Sequence, residues 1–460
     1  MQKQLKRRQF LRNASLLAAG APLSHGLHAQ PADDYRALVC VFLFGGLDCH
    51  DVLIPNDTPS WNEYQRLRRP LLEQYGERRR RDQLLNLEPK VSDQNDGRVF
   101  APPPELSAVK GLFDNGRLSW VGNLGPLVTA TNRASLAARS VPLPPRLFSH
   151  NDQQSVWQAS APEGAQYGWG GLFADAVIAS NINTDTTFTT VTGGGAELFL
   201  TGRLNVPYQV NVAGSTELEL AEILAEETDK SVAEFNAMLD SRSTASSHVL
   251  LRDTAKAMIR GFAANRDFAR AVAGVSSPSQ PFPETDLGLQ LQAVTRTIAA
   301  RQSLGVRRQL FLVGVGGFDT HSNQARTLPK LMKNIDTSLS VFSAALDDMG
   351  LTDNVTLFTA SDFGRTLAVN GDGTDHGWGG HHLVMGGAVQ GGQILGTIPP
   401  PLLDHDQDAG GGRLIPTIAV DQYAAALGQW LGLSSGSVND ALPNLANFSA
   451  RPLAGLFGRP

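Results

Sequence analysis

Cysteine is scarce in this chain, which has Cys40 and Cys49 as its two thiols among 460 residues. Cys40 falls inside an apolar run typical of a β-strand, and Cys49 falls just beyond the end of that run. Because an extended strand rises about 3.3 Å per residue, the two Cα atoms are expected to lie farther apart than the roughly 7 Å that a disulfide permits. The sequence therefore predicts no disulfide.

Long hydrophobic runs are also missing. From residue 30 onward the chain has no stretch of roughly eighteen consecutive apolar residues, which a membrane-spanning helix needs. Near the start, Ala14–Ala21 is weakly apolar, but Gly20 and the following Pro22 break the run and it is too short to cross a bilayer. We therefore expect a soluble protein without a membrane span.

An excess of basic residues is absent as well. The formal net charge is −5, and residues 1–29 carry five basic residues and no acids, so the remainder has a charge of −10. An acidic chain is repelled by the phosphate backbone, which argues against nucleic acid as the main partner. Arg78–Arg81 is a basic run in a polar segment and is interpreted as a solvated loop. No pattern in the sequence identifies a protein partner.

The first residues do contain an export pattern. Arg7 and Arg8 are followed by Phe10-Leu11 and then by an acid-free, weakly apolar segment, which is the order found in twin-arginine signals. The alternative is a charged, irregular N-terminus. We interpret residues 1–29 as a twin-arginine signal peptide and expect a periplasmic or secreted protein. Residues 30–460 are then expected to form the folded domain.

Apolar runs that alternate with helical patterns predict an α/β protein. Arg36–Phe44 is a continuous apolar run that ends in Gly45-Gly46, as in a strand buried on both faces of a parallel sheet. Further strands are expected at Leu118–Gly122, Phe188–Thr192, Arg308–Val315 and Val355–Thr359. Leu328–Met349 has apolar positions at helical spacing and completes a β-α-β unit. We expect a mostly parallel central sheet with helices on both faces, an architecture typical of α/β proteins.

A helical block is expected between the two halves of the sheet. Glu217–Leu239, Val249–Val275 and Leu287–Leu304 contain few Gly or Pro and show a 3.6-residue pattern. A Ser/Pro-rich linker, Ser276–Pro283, lies inside the block. Residues 216–304 are therefore interpreted as an insert in the domain or a cap over it. Val420–Leu433 is expected to form a late helix.

Carboxylates and imidazoles follow three of the expected strands. They are Asp48 after the first strand, Asp319 and His321 after the fourth, and Asp362 and His376 after the fifth. In open α/β sheets, ligands bind at the carboxyl ends of the strands. One Asp after Gly is more often a turn former or a helix cap. Three such segments at one edge predict a metal or catalytic site, because carboxylate and imidazole are common metal ligands.

Ser149 and Arg365 are candidate catalytic residues. Ser149 precedes an expected helix, where a hydroxyl near metal ions can act as a nucleophile on an anion that the helix dipole favours. It can equally cap that helix with Asp152 or Gln153 completing a capping box. Arg365 can bind two oxygens of an anionic group. Its alternative role is a structural salt bridge to Asp362 or a neighbouring acid.

Several short motifs occur together in the order found in one family. They are FLFGGLD, LIPND, LFSHNDQ, YGWGG, GGFDTHSNQ, SDFGRT and DHGWGGHH. On these motifs, nearly the whole chain after residue 29 resembles the domain-of-unknown-function family 1501. That family is similar to the alkaline phosphatase-like superfamily, whose members bind two divalent metals at the carboxyl ends of a parallel sheet. They attack phosphate or sulfate esters with a Ser or Thr at a helix start.

The resemblance implies roles for the residues at the strand ends. Asp48 looks like the metal ligand of the first strand. Asp319 and His321 resemble the pair of ligands on one metal ion. Asp362 resembles the acid on the other ion, and His376 resembles the late His ligand. One or two divalent ions are therefore expected, with zinc, manganese, calcium and magnesium all open.

The function favoured by these features is an exported, metal-dependent hydrolase that acts on small anionic esters of phosphate or sulfate. A non-catalytic binding or assembly protein on a degenerate phosphatase-like scaffold is the alternative. Two departures favour that alternative: Phe363 follows Asp362 where the superfamily commonly has His, and the superfamily's nucleophile motif is missing around Ser149. A metal-dependent phosphosugar mutase or isomerase is the third interpretation.

Overall fold

The computed structural model describes residues 34–91, 95–194, 198–210, 230–245 and 248–458. The interpreted signal peptide, residues 1–29, lies outside these ranges, as do residues 217–229 of the helix expected at Glu217–Leu239. None of the helices in the described ranges has the length and apolar character needed to cross a membrane.

The strands are numbered here in chain order. They are β1 (Arg36–Leu43), β2 (Ile54–Pro55), β3 (Phe100–Ala101), β4 (Leu118–Gly125), β5 (Thr190–Thr192), β6 (Tyr208–Gln209), β7 (Arg308–Val315), β8 (Val355–Ser361), β9 (Arg365–Val369), β10 (Thr374–His376), β11 (Gly380–Met385), β12 (Ile394–Leu395) and β13 (Ile418–Ala419).

The α-helices follow the same numbering. They are α1 (Thr58–Tyr75), α2 (Ser107–Asp114), α3 (Arg133–Ala138), α4 (His150–Ala159), α5 (Trp169–Ala179), α6 (Lys230–Ala245), α7 (Val249–Ala273), α8 (Asp286–Ala299), α9 (Gln324–Asp348), α10 (Val420–Leu431) and α11 (Ser435–Ala441).

The central sheet has nine strands within the described residues. Its order is β12-β4-β11-β8-β1-β7-β5-β6, with β13 pairing β4 outside this path. β1 pairs in parallel with β7 and β8, and β5 pairs in parallel with β6 and β7. β11 is the antiparallel strand, between β4 and β8. The predicted α/β fold with a mostly parallel sheet is confirmed.

Helices cover both faces of this sheet. Alternate residues of β1 point to opposite faces, as the pleat of a strand requires. One set joins a hydrophobic core with residues of α8 and α9, and it consists of Ala37, Val39, Val41 and Leu43. The other set joins a second core with residues of α5 and α10, and it consists of Leu38, Cys40 and Phe42. The continuous apolar run in the sequence reflects this burial on both sides.

The expected elements are found with small shifts at their ends. β7 matches Arg308–Val315, while β4 runs three residues farther than predicted, to Gly125. In the helical block, α7 packs Phe268 against Phe188, and Leu291 of α8 lies in the core beneath the sheet. Cys40 and Cys49 are both buried free thiols.

Candidate functional site

The carboxyl ends of β1, β7 and β8 lie at the same level of the sheet. Leu43 is paired with Val315 on one side and with Ser361 on the other. The loops that follow these three strands therefore begin side by side. This register is the physical reason why residues more than 250 positions apart, Asp48 and Asp319, were predicted to share one edge.

Two glycines after β1 let these loops approach each other. Gly45 has a φ of 112°, and a Cβ built there would lie 2.3 Å from the backbone nitrogen of Asp319. Gly46 has a φ of 88°, and its Cβ would lie 2.4 Å from the ring of Phe363. Both positions therefore need glycine, because a side chain would push apart the loops that carry Asp319 and Phe363.

Asp319 lies at the centre of a group of three imidazoles. Its Oδ1 is 3.2 Å from His321 Nε2 and 3.3 Å from His376 Nε2. Its Oδ2 is 3.5 Å from His150 Nε2. The two nitrogens His321 Nε2 and His376 Nε2 are 2.8 Å apart. Ligand atoms of His150, Asp319 and His376 all lie within 4.8 Å of one another, the separation expected of groups that can share one ion.

Each imidazole that turns Nε2 toward Asp319 also turns Nδ1 toward a hydrogen-bond acceptor. The pairs are His150 Nδ1 with Asp362 Oδ2 at 2.6 Å, His376 Nδ1 with the Phe148 carbonyl oxygen at 2.8 Å, and His321 Nδ1 with Asp375 Oδ1 at 3.3 Å. When the proton of a neutral imidazole is on Nδ1, its Nε2 lone pair faces Asp319 and can bind a cation. Histidine ligands of metals are held in this way.

The electrostatics of the group favour an ionised Asp319 and a neutral His376, and they favour protonation of His150. Desolvation raises the pKa of Asp319, but the hydrogen bond and charge of Arg365 outweigh it, so the net pKa is lowered. Burial lowers the pKa of His376. The hydrogen bond with Asp362 raises the pKa of His150. A cation bound to His150 would have to displace its proton, so metal affinity should weaken in acid.

The donor set fits a divalent metal ion. Imidazole nitrogen and carboxylate oxygen are ligands of zinc and of several other first-row metals. His150, Asp319 and His376 form the group, and His321 adds a further Nε2 within 3.2 Å of Asp319. The side chain of Asp319 is 45% exposed, so an ion held there would remain open to solvent on one side.

Asp362 lies behind His150 rather than among the converging ligand atoms. It is fully buried, and its Oδ1 accepts from the Gly45 backbone N–H at 3.1 Å. Its Oδ2 accepts from Gln154 at 2.8 Å and faces His150 Nδ1. The contacts of Asp362 are thus with Gly45, Gln154 and the far nitrogen of His150, and they give no support to the ligand role expected for it. Asp362 instead orients His150.

Asp48 is enclosed in a buried ion pair. Its two oxygens accept hydrogen bonds from the guanidinium of Arg68, which comes from α1. Gln324 Nε2 also donates to Asp48 Oδ2 at 2.6 Å, and the backbone N–H of His50 donates to Oδ1 at 3.2 Å. The structure therefore does not bring Asp48 into the group around Asp319, although both residues follow neighbouring strands.

Arg365 positions Asp319. Its Nη1 donates to Asp319 Oδ1 at 2.9 Å and to the Gly45 carbonyl at 3.0 Å. Its Nε donates to Thr374 Oγ1 at 2.9 Å, and Nη2 donates to the Thr374 carbonyl. The side chain is fully buried, so the expected contact with a substrate anion has no support. The alternative, a structural salt bridge to a neighbouring acid, matches the pair with Asp319.

Ser149 occupies the position before the first residue of α4, as the sequence predicted. Its hydroxyl donates to Asp152 Oδ2 at 3.0 Å and makes no capping bond to the helix backbone. The predicted nucleophile thus lies next to His150 in the chain, with its hydroxyl bonded to Asp152.

Sequence reasoning missed His150 and Asp375. His150 belongs to the LFSHNDQ motif, in which only Ser149 was considered as a site residue, and the other candidates were residues that follow strands. The signal was available, because an imidazole at the start of a helix beside a candidate nucleophile is itself a candidate ligand. Phe363, which replaces the expected His, packs its ring 4.8 Å from that of His150 and 4.6 Å from that of His376.

The fold and the site define an α/β protein with an Asp and three His residues gathered at the carboxyl ends of parallel strands. The chain belongs to the family described as "Protein of unknown function (DUF1501)", whose model matches residues 35–408. This membership confirms the resemblance found in the motifs. The sequence matches none of the curated proteins with which it was compared.

Among solved structures, the chain is similar to a lipoteichoic acid synthase of Listeria monocytogenes, with 10% identity over 88% of this chain and 75% of that one, at a TM-score of 0.33. A sulfatase of Pseudoalteromonas sp. shares 12% identity over 92% and 74%, at 0.32. The alkaline phosphatase of Thermus thermophilus shares 11% identity over 75% and 64%, at 0.26.

Proposed function

We propose that this protein hydrolyses small anionic esters of phosphate or sulfate with a divalent metal ion held by His150, Asp319, His321 and His376. One observation carries the proposal: three imidazoles present Nε2 to a single carboxylate while an acceptor holds each Nδ1. The motifs of the family, with their similarity to the alkaline phosphatase-like superfamily, support the ester class.

The side chains of the chain hold and orient the reacting groups. A divalent ion, when bound, supplies a Lewis acid that polarises an ester oxygen and lowers the pKa of water. Asp362 and the Phe148 carbonyl keep the rings of His150 and His376 in place. Arg365 keeps Asp319 ionised and fixed. We assign attack on the ester to water, with the Ser149 hydroxyl, which donates to Asp152, as the alternative nucleophile.

The test is activity against aryl phosphates and aryl sulfates, measured on protein stripped with a chelator and then reloaded with zinc, manganese, calcium or magnesium. We expect turnover that disappears on stripping and returns with at least one metal. Protein that binds no stoichiometric metal and turns over neither ester class under any supplement would refute the proposal.

A binding or assembly role is the second candidate, and the buried Asp48–Arg68 pair favours it because that pair removes one expected ligand from the site. The two candidates separate in cells. A strain that lacks the gene is complemented with the double variant Asp319→Ala/His376→Ala. If that variant folds and returns the strain to the wild-type phenotype, the binding role is the right one.

We also propose that residues 1–29 direct twin-arginine export. A reporter fused behind this segment should reach the periplasm, and the variant Arg7→Lys/Arg8→Lys should remain in the cytoplasm. Equal export of both versions would contradict the proposal.

A further inference from the structure

A guanidinium is fixed beside the central carboxylate of the site. Arg365 is fully buried, yet its Nη1 lies 2.9 Å from the Oδ1 of the solvent-exposed Asp319. Its other N–H groups bond the Gly45 carbonyl, the Thr374 hydroxyl and the Thr374 carbonyl. Because these hydrogen bonds fix the guanidinium, its positive charge stays beside Asp319 when a cation binds.

A chain of hydrogen bonds holds this guanidinium from behind. The Thr374 hydroxyl accepts from Arg365 Nε and donates to Gln324 Oε1 at 2.8 Å. Gln324 Nε2 in turn donates to Asp48 Oδ2 at 2.6 Å, and Asp48 is paired with Arg68. The hydrogen bonds all run in the same sense, from Arg365 through Thr374 and Gln324 to Asp48, so each group donates to the next one along the chain of bonds. Gln324 and Thr374 are therefore positioning residues for Arg365.

Two of the other carboxylates near the site, Asp48 and Asp362, are held by buried partners, and a third, Asp375, lies on the Nδ1 side of His321, whose Nε2 faces Asp319. Asp48 is bonded to Arg68 and Gln324, and Asp362 is bonded to Gly45, Gln154 and His150. In sites with two metals, the ions lie about 3.5–4 Å apart and share ligands. One ion can use Asp319 Oδ2, which faces His150, whereas a second ion would need Oδ1, which already accepts from Arg365. The positive charge of Arg365 repels a second cation at that oxygen.

An apolar ring closes another side of the site. Phe363 is buried, and its ring centroid is 4.8 Å from that of His150 and 4.6 Å from that of His376. Its carbon atoms offer no ligand where a second ion would need one. The ring of Phe363 and the guanidinium of Arg365 thus restrict the space for a second ion on two sides.

Resting on the proposed function, we infer that this centre holds one divalent ion and that Arg365 takes the place of a second ion as a built-in positive charge on Asp319. The inference decides between the one and two metal ions that the sequence left open. It also gives Arg365 a positioning and electrostatic role in place of the expected contact with the substrate.

The first test is a titration of the metal-free full chain with Mn²⁺, followed by metal analysis and electron paramagnetic resonance. We expect one bound ion per chain and the six-line spectrum of isolated Mn²⁺ at saturation. Two bound ions with a coupled spectrum would overturn the inference and leave the proposed hydrolase function standing. No bound ion would overturn both, so the two failures are distinguishable.

The second test compares Arg365→Gln with Arg365→Lys, each first checked for folding by circular dichroism. Arg365→Gln removes the positive charge, and we expect its saturation with Mn²⁺ to rise from one ion to two per chain. Arg365→Lys keeps the charge and should remain at one. If Arg365→Gln also saturates at one ion with unchanged affinity, the charge of Arg365 is not what excludes the second ion. If either variant fails to fold, the titration of the unaltered chain still decides the number of bound ions, and Thr374→Val, which removes one hydrogen bond that holds Arg365, takes the place of the failed variant.

Discussion

Two aspartates that follow neighbouring parallel strands have opposite surroundings. Asp48, after β1, is fully buried and paired with the guanidinium of Arg68. Asp319, after β7, is 45% exposed and faces the Nε2 atoms of three histidines. The position at a strand end is the same in both cases, so the partners decide what each carboxylate can do.

For metal binding, what matters about the partner of each aspartate is whether that partner keeps a lone pair of its own, more than whether it carries a charge. Arg68 is permanently protonated and can only donate, so it uses up the oxygens of Asp48. A neutral imidazole donates through one nitrogen and keeps a lone pair on the other. The imidazoles around Asp319 therefore add ligands to the site, whereas Arg68 removes one.

The largest expected effect is a loss of metal affinity at Asp319, the exposed aspartate. In Asp319→Ala, the carboxylate shared by all three imidazoles is lost, so metal affinity should fall well beyond the roughly 100-fold that loss of an outer hydrogen-bond partner costs. Calorimetric titration measures this. Asp114→Ala is the matched control, because the side chain of Asp114 is also 45% exposed but lies in a surface ion pair. Unchanged affinity in Asp319→Ala would remove the basis of the site.

The closed aspartate should instead affect folding. Asp48→Ala leaves Arg68 buried without its partner, which should lower the free energy of unfolding by about 3–5 kcal/mol. Urea denaturation measures the change, and Asp48→Leu/Arg68→Leu should recover much of the loss because no charge remains unpaired. If Asp48→Ala keeps its stability and loses the metal, then Asp48 is a ligand and the comparison fails.

A further buried carboxylate, Asp421, has neutral hydrogen-bond partners. Asp421 accepts from the Asn444 backbone N–H and the Ser160 hydroxyl, and desolvation raises its pKa from 3.8 to about 6. Because the folded state binds this proton more tightly, the stabilisation is full below pH 3.8 and is lost as the pH rises through about 6.

Asp421→Asn should remove this pH dependence. Relative to the unaltered chain, the variant should gain up to about 3 kcal/mol of unfolding free energy between pH 4 and pH 7, the equivalent of roughly two pKa units. Urea denaturation across that range measures the difference. A difference that stays constant with pH would show that Asp421 does not titrate differently in the folded and unfolded chain.

A smaller effect is expected where a carboxylate acts through a histidine. In Asp362→Asn, His150 loses its anionic partner, so metal affinity should fall by about 10–100-fold. Asp372→Asn is the control, because Asp372 accepts from the Asn323 backbone N–H in a nearby loop and contacts no proposed ligand. A loss as large as that of Asp319→Ala would identify Asp362 as a ligand in its own right.

The smallest effect is expected at Ser149. With water as the attacking group, Ser149→Ala should change kcat/KM by less than about threefold, whereas loss of a true nucleophile costs orders of magnitude. Steady-state kinetics with the best ester found measures this. A fall of more than about 1,000-fold would make Ser149 the nucleophile after all.

Much of the fold could be predicted from the sequence. Strand β7 was expected at its observed residues, because a short continuous apolar run that ends in Gly316-Gly317 favours a buried strand over a helix. The shared edge of β1, β7 and β8 could be predicted too, since parallel strands present their carboxyl ends together. That logic correctly brought Asp319, His321 and His376 into one region.

The roles within the site could not be read in the same way. Whether the carboxylate of Asp48 is available to a ligand depends on Arg68, which contacts it from the middle of α1 only in the folded chain. Likewise, His150 reaches Asp319 from the start of α4, about 170 residues earlier in the sequence. Sequence spacing shows which strand ends meet, but not which side chains from other elements occupy the space between them.

The most direct measurement is an anomalous diffraction map from crystals of metal-loaded protein. We expect one peak per chain within bonding distance of His150 Nε2, His376 Nε2, His321 Nε2 and a carboxylate oxygen of Asp319. A peak bound to Asp48 or Asp362, or crystals that hold no metal at this edge of the sheet under saturating metal, would contradict it.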